Sequence, residues 1–189
     1  MGRRNSNSPT NAKPFSLCGI LKHTTMRQTK RLTFINNKSE NDLNDLWVNC
    51  FYGQENYNFM HAHVPQPYRV PSQSAINSFL SHNNSTWLVK RIIENDIIGF
   101  AVHGDFIPGL PNNIGFNIGL NYTRKGYAKE TLTELIEYIR SSGLHETFGH
   151  CLESNIASIR TMENCGFINM GRTGIHFNGN YELKFRKQL

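Results

Sequence analysis

Apolar residues follow helical spacing in four stretches of this chain. The first begins after Ser39, which with Asp42 resembles a capping pair. Its inward residues fall at i, i+3, i+4, i+7 and i+8, and they are Leu43, Leu46, Trp47, Cys50 and Phe51. A second, shorter helix is predicted from about Ser72. Its inward residues are Ala75, Ile76, Phe79 and Leu80.

The third stretch has the strongest helical pattern. It begins at Gly126 and ends at Ser141-Ser142-Gly143, with apolar and charged residues on opposite faces. The fourth helix is capped by Asn155 and stops at Gly166. Its inward residues are predicted to be Ile156, Ile159 and Met162.

Strand-like runs fill most of the remaining chain, and turn residues separate them. The runs are Leu32–Ile35, Thr86–Ile93, Ile97–Phe106, Ile114–Leu120 and Thr147–Glu153. A hairpin around Asn178-Gly179 ends the chain. The three middle runs predict an antiparallel meander. A helix between Ile114–Leu120 and Thr147–Glu153 predicts that these two strands pair in parallel. The fold class is therefore α+β: a mixed, mostly antiparallel sheet of six or seven strands flanked by about four helices.

Composition and charge divide the chain into an extension and a domain. Eight of the 20 basic residues precede Glu40, and no acidic residue does; the remainder carries 12 basic and 14 acidic residues, a net charge of −2. Residues 1–30 are read as a flexible basic extension and residues 31–189 as one domain. An upstream start codon before a true start at Met26 explains the extension equally well. Its first residues also fit, weakly, a myristoylation or transit signal.

These charges argue against nucleic-acid binding by the domain, because its body has no overall basic surface. No apolar run is long enough to cross a membrane, and we expect a cytoplasmic protein. The cysteines are scattered without a C-x-x-C pair, which favours buried, reduced thiols over a disulfide framework or a zinc site: they are Cys18, Cys50, Cys151 and Cys165.

Three further polar sites are interpreted conservatively. His61 and His63 lie in a proline-containing loop expected to border a substrate pocket, but no third metal ligand is evident, and no metal is predicted. His103 lies on a strand and is read as a packed residue. Asn84-Ser85-Thr86 matches a glycosylation acceptor, which matters only in a secreted protein.

The loop before the third helix has the features of a phosphate site. The first turn of a helix presents N–H groups without partners and partial positive charge. Gly126 removes a side chain where phosphate oxygens would approach, while Arg124 and Lys125 add countercharge. A pyrophosphate would fit here, although a lysine-glycine pair before a helix is as often a solvated loop.

Two sequence blocks resemble the GNAT superfamily of acyl-CoA-dependent N-acetyltransferases, and within it the ribosomal-protein-alanine acetyltransferases. The run from Gly115 to Glu130 is similar to the family's strand and CoA loop. The run from Asn155 to Phe167 is similar to an Asn-x-x-Ser-Ile-Arg helix that ends in Gly-Phe. Two departures are Thr123, where the family often has Gln or Arg, and Met162, where many members have a tyrosine that protonates the leaving thiolate.

The resemblance implies acetyl-CoA as co-substrate, a sheet splayed at the parallel strands to admit it, and direct attack of a neutral amine on the thioester. It places pantetheine along Ile118, Gly119 and Leu120. Pyrophosphate would lie over a run of consecutive residues: Thr123, Arg124, Lys125, Gly126, Tyr127, Ala128 and Lys129. Asn155 would contact the cofactor near its reactive end, although its simplest interpretation is a helix cap.

The remaining roles are assigned from positions in the second block or, for Glu153, at the end of the strand just before it. Ser158 is the nearest hydroxyl that could protonate or orient the thiolate, and Glu153 is the candidate general base, although a solvated carboxylate is the simpler interpretation. The acceptor is an amine, either a protein N-terminus or a small molecule, and a homodimer stays open. A different class of answer is a non-catalytic acyl-CoA-binding or ribosome-associated module.

Overall fold

The computed structural model describes residues 26–56, 72–82, 85–105, 111–177 and 179–189. Its strands are β1 (Leu32–Ile35), β2 (Thr86–Arg91), β3 (Ile97–Gly104), β4 (Asn113–Ile118), β5 (Glu146–Leu152), β6 (Ile168–Phe177) and β7 (Asn180–Gln188). Its α-helices with full bounds are α1 (Glu40–Cys50), α2 (Gln73–His82), α3 (Tyr127–Ser141) and α4 (Ile156–Asn164). A short 3-10 helix, Leu120–Tyr122, joins β4 to the loop before α3.

The strands form one seven-stranded sheet in the order β1-β2-β3-β4-β5-β7-β6. Every neighbouring pair is antiparallel except β4 and β5, which are parallel. The α+β fold class and the predicted parallel pairing are therefore confirmed. The crossover through α3 produces the parallel pair, because a strand must return to the same end of the sheet to run parallel to its neighbour.

The two faces of the sheet carry separate cores. Successive side chains of a strand point to opposite faces, so Trp87 packs with the core under α3 and α4, while Leu88 packs with the core under α1 and α2. We call these the α3 face and the α1 face. The capping box of α1 forms as predicted, since Ser39 Oγ accepts from the N–H of Asp42 and the Asp42 carboxylate accepts from the N–H of Ser39.

Several predicted inward residues prove to be exposed. Phe79 is 39% exposed and Ala75 is also exposed, so α2 buries Ile76 and Leu80 alone among its four predicted core residues. Ile156, in the first turn of α4, is 49% exposed, whereas Met162 is buried and Ile159 packs half-buried against the core of the α3 face.

Four predicted strands end earlier than expected, and two of them, Ile97–Phe106 and Thr147–Glu153, stop at Gly104 and Leu152. The run Thr86–Ile93 stops at Arg91, because the chain turns there and the N–H of Arg91 donates to Asp96 across the hairpin. The run Ile114–Leu120 stops at Ile118, where the 3-10 helix replaces the last strand residues.

No helix among the described residues is long and apolar enough to cross a membrane.

The predicted extension contacts the domain at its C-terminal end. Met26 is buried in the core of the α3 face, and the N–H of Arg27 donates to Glu134 of α3 at 2.9 Å. Residues 1–25, with Cys18 and the terminal signal patterns, lie outside the described residues, as do His61, His63 and Asn84.

Candidate active site

The parallel strands β4 and β5 separate soon after they meet. Their register contains two pairs, Asn113 with Phe148 and Ile114 with Gly149. Beyond these pairs β4 continues to Ile118, whereas β5 continues to Leu152 in pairing with β7. The sheet therefore opens into a wedge whose closed end lies at Ile114 and Gly149.

The backbone of β4 presents a hydrogen-bond donor to this wedge. Gly119 donates its N–H to the carbonyl of Ile98 on β3 at 2.9 Å. Because N–H groups alternate in direction along a strand, the N–H of Ile118 points away from β3 and toward the side from which β5 has departed. A carbonyl oxygen in the wedge could accept that hydrogen bond.

Gly119 has a packing reason to lack a side chain. A Cβ built on it would lie 2.7 Å from the backbone oxygen of Asn49 and 2.9 Å from Sγ of Cys50. Both contacts are with the end of α1, so α1 packs against the backbone at the end of β4. The same approach helps to bury the Cys50 thiol, and burial raises its pKa to about 12.

The loop from Thr123 to Gly126 directs backbone N–H groups outward at the start of α3. The first helical bond runs from the N–H of Glu130 to the carbonyl of Gly126, which leaves the N–H groups of residues 126–129 without partners inside the helix. Gly126 has φ +82 and Arg124 has φ +59. This left-handed backbone suits glycine and turns the chain sharply into the helix.

The side chains of this loop take different positions. Arg124, Lys125 and Lys129 are exposed and Ala128 is half-buried. Tyr127 is buried, so the loop can offer its N–H but not its ring to a ligand. Thr123 donates its hydroxyl to the carbonyl of Leu120 at 2.8 Å, which holds the loop closed.

An arginine from outside the predicted site completes the start of α3. The Arg31 guanidinium donates to the carbonyl of Lys125 at 3.0 Å and pairs with Glu130 at 2.5 Å. The Cζ atom of Arg31 lies 4.5 Å from the centroid of the Tyr127 ring. A groove of about 390 Å³ runs from here along α3. Arg31 therefore places a third cation near the free N–H groups, beside those of Arg124 and Lys125.

A second polar cluster holds the other side of the loop. Arg91 of β2 makes two hydrogen bonds to the Asp96 carboxylate, at 2.7 and 2.8 Å. Tyr122 donates its hydroxyl to the same carboxylate at 3.0 Å. The hydrogen bonds from Arg91 hold the pKa of Asp96 below its usual value, and burial, followed by Asp96, raises the pKa of Tyr122 to about 12. The cluster fixes the 3-10 helix to the β2–β3 hairpin.

The predicted residues of the second block lie at the start of α4. The side-chain oxygen of Asn155 accepts from the N–H of Ser158 at 3.1 Å, so Asn155 is the helix cap. Ser158 is half-buried. Glu153 pairs with Arg172 at 2.9 Å through one oxygen, and its other oxygen accepts from the N–H of Tyr181 at 3.3 Å. Both oxygens of the predicted base thus already have partners.

A family model described as an acetyltransferase (GNAT) domain matches residues 31–168. The chain belongs to the GNAT acetyltransferase family. This confirms the resemblance expected from the sequence, with acetyl-CoA as the co-substrate of the family. No curated protein matches the chain by sequence.

Solved GNAT structures share the fold at low sequence identity. A GNAT-family acetyltransferase from Bacillus anthracis is 20% identical with a TM-score of 0.71, and the match covers 87% of this chain and 98% of that one. The microcin C7 self-immunity acetyltransferase MccE, solved with acetyl-CoA and AMP, is 19% identical with a TM-score of 0.68, covering 85% and 94%. The ribosomal L7/L12 alpha-N-protein acetyltransferase RimL, solved with coenzyme A, is 16% identical with a TM-score of 0.68, covering 87% and 97%.

In this GNAT domain the fold brings most of the predicted donor residues to one end of the sheet. Residues 118–129 follow the open edge of β4 into the first turn of α3, and Asn155 and Ser158 stand at the start of α4 beyond β5. Arg31, Arg91 and Asp96 were not predicted, because each is distant in sequence from the loop that it contacts. Arg31 lies 94 residues before Lys125, and no local pattern could indicate that pairing. No cluster of metal-binding side chains occurs in the described ranges.

Proposed function

We propose that this protein transfers an acetyl group from acetyl-CoA to an amine by direct attack within a ternary complex. The observation that carries the proposal is the wedge between β4 and β5, which opens beside the N-terminus of α3. A thioester in the wedge could reach the N–H of Ile118 while the diphosphate of the same molecule reaches the N–H groups of residues 126–129.

The residues present fit coenzyme A at both ends of this path. Gly126 is exposed and has no side chain to exclude phosphate oxygens, and Arg124 and Lys125 supply countercharge. Arg31, whose charge is paired with Glu130, supports the loop by donating to the carbonyl of Lys125. Pantetheine is proposed to follow Ile118, Gly119 and Leu120 along the open edge of β4, with Asn155 near the thioester. Bound acetyl-CoA supplies the activated acyl group.

The protein's contribution to the chemistry is positioning and charge stabilisation. Holding both reactants in one site removes much of the entropic barrier, and the N–H of Ile118 is placed to stabilise a developing oxyanion. Met162, at the position where many family members have a tyrosine, is buried and cannot donate a proton. Ser158 is therefore proposed to protonate or orient the leaving thiolate. Glu153, the general base predicted from the sequence, is a weaker candidate because Arg172 and the N–H of Tyr181 already contact its two oxygens.

Two classes of acceptor fit the proposal, a protein N-terminus and a small amine. The second sequence block resembles the ribosomal-protein-alanine branch, and RimL, which shares the fold, is described as a ribosomal-protein N-acetyltransferase. MccE shares the fold equally well and serves self-immunity to microcin C7. We therefore place a peptide with an N-terminal alanine first among the acceptors to be tested.

The test is an acceptor screen with detection of the released thiol. The intact chain and a chain beginning at Met26 are each mixed with acetyl-CoA and one of four amines: an Ala-initiated peptide, a Ser-initiated peptide, spermidine or an aminoglycoside. We expect amine-dependent thiol release from both proteins. Calorimetric binding of CoA without release for any amine would favour the non-catalytic acyl-CoA-binding module, and no binding at all would refute the donor site.

A further inference from the structure

A second pocket lies on the α1 face of the sheet, on the side opposite α3 and α4. Gly149 of β5 faces α4, because a Cβ on it would lie 2.7 Å from Sδ of Met162. His150, the next residue, therefore faces the opposite side. Its side chain lines a cavity of about 360 Å³, together with Arg172, Thr173, Glu182 and Lys184 among others.

His150 is held by a carboxylate at one nitrogen and lacks a partner at the other. Its side chain is 7% exposed, and Nδ1 lies 3.3 Å from an oxygen of Glu182. Thr173 donates its hydroxyl to the same oxygen at 3.0 Å, which fixes the carboxylate. Nε2 is buried without a hydrogen-bond partner in the described part of the chain.

This arrangement selects one tautomer of the imidazole. Nδ1 carries a hydrogen when its partner is a carboxylate, so the lone pair is left on Nε2. A buried acceptor without a partner costs free energy, and a ligand that donates a proton or hydrogen bond to Nε2 would remove that cost. An ammonium group is such a ligand.

The position of His150 relates the pocket to the wedge. The last pair of β4 and β5 is Ile114 with Gly149, so His150 is the first residue of β5 beyond the closed end. The proposed donor residues lie on the α3 face and along the open edge of β4. An acceptor that enters from the α1 face could therefore reach His150 at the closed end of the wedge.

We propose that His150 is the general base that deprotonates the acceptor amine and that Glu182 is its positioning residue; this inference rests on the proposed acetyl transfer. Nε2 takes one proton from the ammonium form of the acceptor. The amine nitrogen then bonds to the thioester carbon, the C–S bond breaks, and the second amine proton goes to the departing sulfur. His150 later releases its proton to solvent, so each turnover yields amide, CoA thiol and one proton.

The charged groups around His150 are compatible with this role. Glu182 is the anion in contact with it. Lys184, which is opposite His150 on β7, holds its ammonium 4.3 Å from the centroid of the Phe148 ring. Arg172 is paired with Glu153. Burial, followed by the charge of Glu182, raises the pKa of the neighbouring Cys151 thiol to about 12, so that thiol stays protonated at neutral pH.

The test is the pH dependence of kcat for His150→Gln in the full-length chain, with whichever of the four screened amines the wild type acetylates. We expect kcat to fall by about 100-fold, the typical contribution of a general base, while CoA binding is unchanged. The remaining activity should rise with pH until the acceptor amine itself is deprotonated. Glu182→Gln should lose about tenfold in kcat without a change in KM for acetyl-CoA.

His103→Gln is the matched control, because His103 is also a buried strand histidine whose Nε2 has no partner in the described residues. It should keep the wild-type pH profile. Glu153→Gln tests the competing assignment of the base. If Glu153→Gln abolishes the fall of kcat at low pH and His150→Gln does not, Glu153 is the base and our proposal is wrong. If His150→Gln does not fold, Glu182→Gln decides the matter, and an unchanged kcat overturns the proposal.

Failure of this inference can be told apart from failure of the proposed function. A wild-type chain that binds acetyl-CoA but acetylates none of the four amines overturns both. A wild-type chain that is active, with a His150→Gln variant of equal kcat and the same pH profile, overturns the base assignment alone.

Discussion

The donor site can be tested by placing a negative charge where the diphosphate is proposed to bind. Gly126→Asp is the sharpest such change. A Cβ on Gly126 would lie 3.5 Å from Nη2 of Arg31, which is ordinary contact, so the side chain has room. The positive φ of +82 imposes strain of about 1 kcal/mol on most residues, but aspartate and asparagine tolerate it better than others.

The size of the effect follows from the charge at this position. A carboxylate about 5 Å from a phosphate, at an effective dielectric of about 20, is repelled by about 3 kcal/mol. That corresponds to about 100-fold weaker binding. The fold should not suffer from the charge, because a carboxylate at a helix N-terminus is favoured by about 0.3–1 kcal/mol and could pair with Arg31.

Gly126→Asn is the matched control, since it has the same shape and the same backbone tolerance without the charge. Isothermal calorimetry with CoA should show the aspartate variant binding about 100-fold more weakly than the asparagine variant, with a gap that narrows as salt rises. In thermal unfolding, the aspartate variant should be at least as stable as the asparagine variant. Equal CoA affinities for the two folded variants would refute the assignment of the diphosphate to this helix terminus.

Three further outcomes follow from contacts near the loop. Gly119→Ala would place a Cβ 2.7 Å from the backbone oxygen of Asn49, so denaturant melts should show a loss of about 1–3 kcal/mol in the free energy of unfolding. Arg31→Gln should weaken CoA binding about fivefold by calorimetry, with partial recovery in Arg31→Lys. Hydrogen bonds from Arg91 lower the pKa of Asp96, so ionised Asp96 stabilises the fold above about pH 4 and loses this effect as the pH falls through its lowered native pKa. Asp96→Asn should therefore flatten the fall in stability below about pH 4, measured by urea unfolding at a series of pH values.

The sequence predicted helices and strands well where a single hydrophobic periodicity continued without interruption. The strand Leu32–Ile35 and the capping box at Ser39 were predicted to the residue. The strand errors lie at element ends, where apolar residues continue past the last packed position, whereas Ala75 and Phe79 are exposed within α2. Ile93 extends an apolar run but is 90% exposed, because the β2–β3 turn has already carried it away from the sheet. Periodicity cannot detect this, since it records residue type and not the surface that a residue meets.

The residues of the proposed donor site could be predicted from the sequence, whereas those of the proposed acceptor pocket could not. The loop from Thr123 to Lys129 is continuous in sequence, so a glycine before a helix with basic neighbours indicated a phosphate site, and the resemblance of the two sequence blocks favoured this over a solvated loop. The proposed acceptor pocket depends on strand register. His150 meets Glu182 only because β7 inserts between β5 and β6. That insertion brings together residues that are 32 positions apart, and the sequence alone gave no reason to connect them.

Three glycines allow close packing around the wedge before any ligand is present. A Cβ on Gly99 would lie 2.0 Å from the carbonyl oxygen of Asn117, so β4 is pressed against β3 at that point. Gly119 lets α1 close on the end of β4, and Gly149 lets Met162 of α4 close on β5. Beyond the pair of Ile114 and Gly149, β4 continues along β3 and β5 continues along β7, and these pairings keep the two strands apart. Because packing within the domain holds the wedge open, acetyl-CoA would enter a preformed site, and its binding would require little rearrangement of β4 and β5.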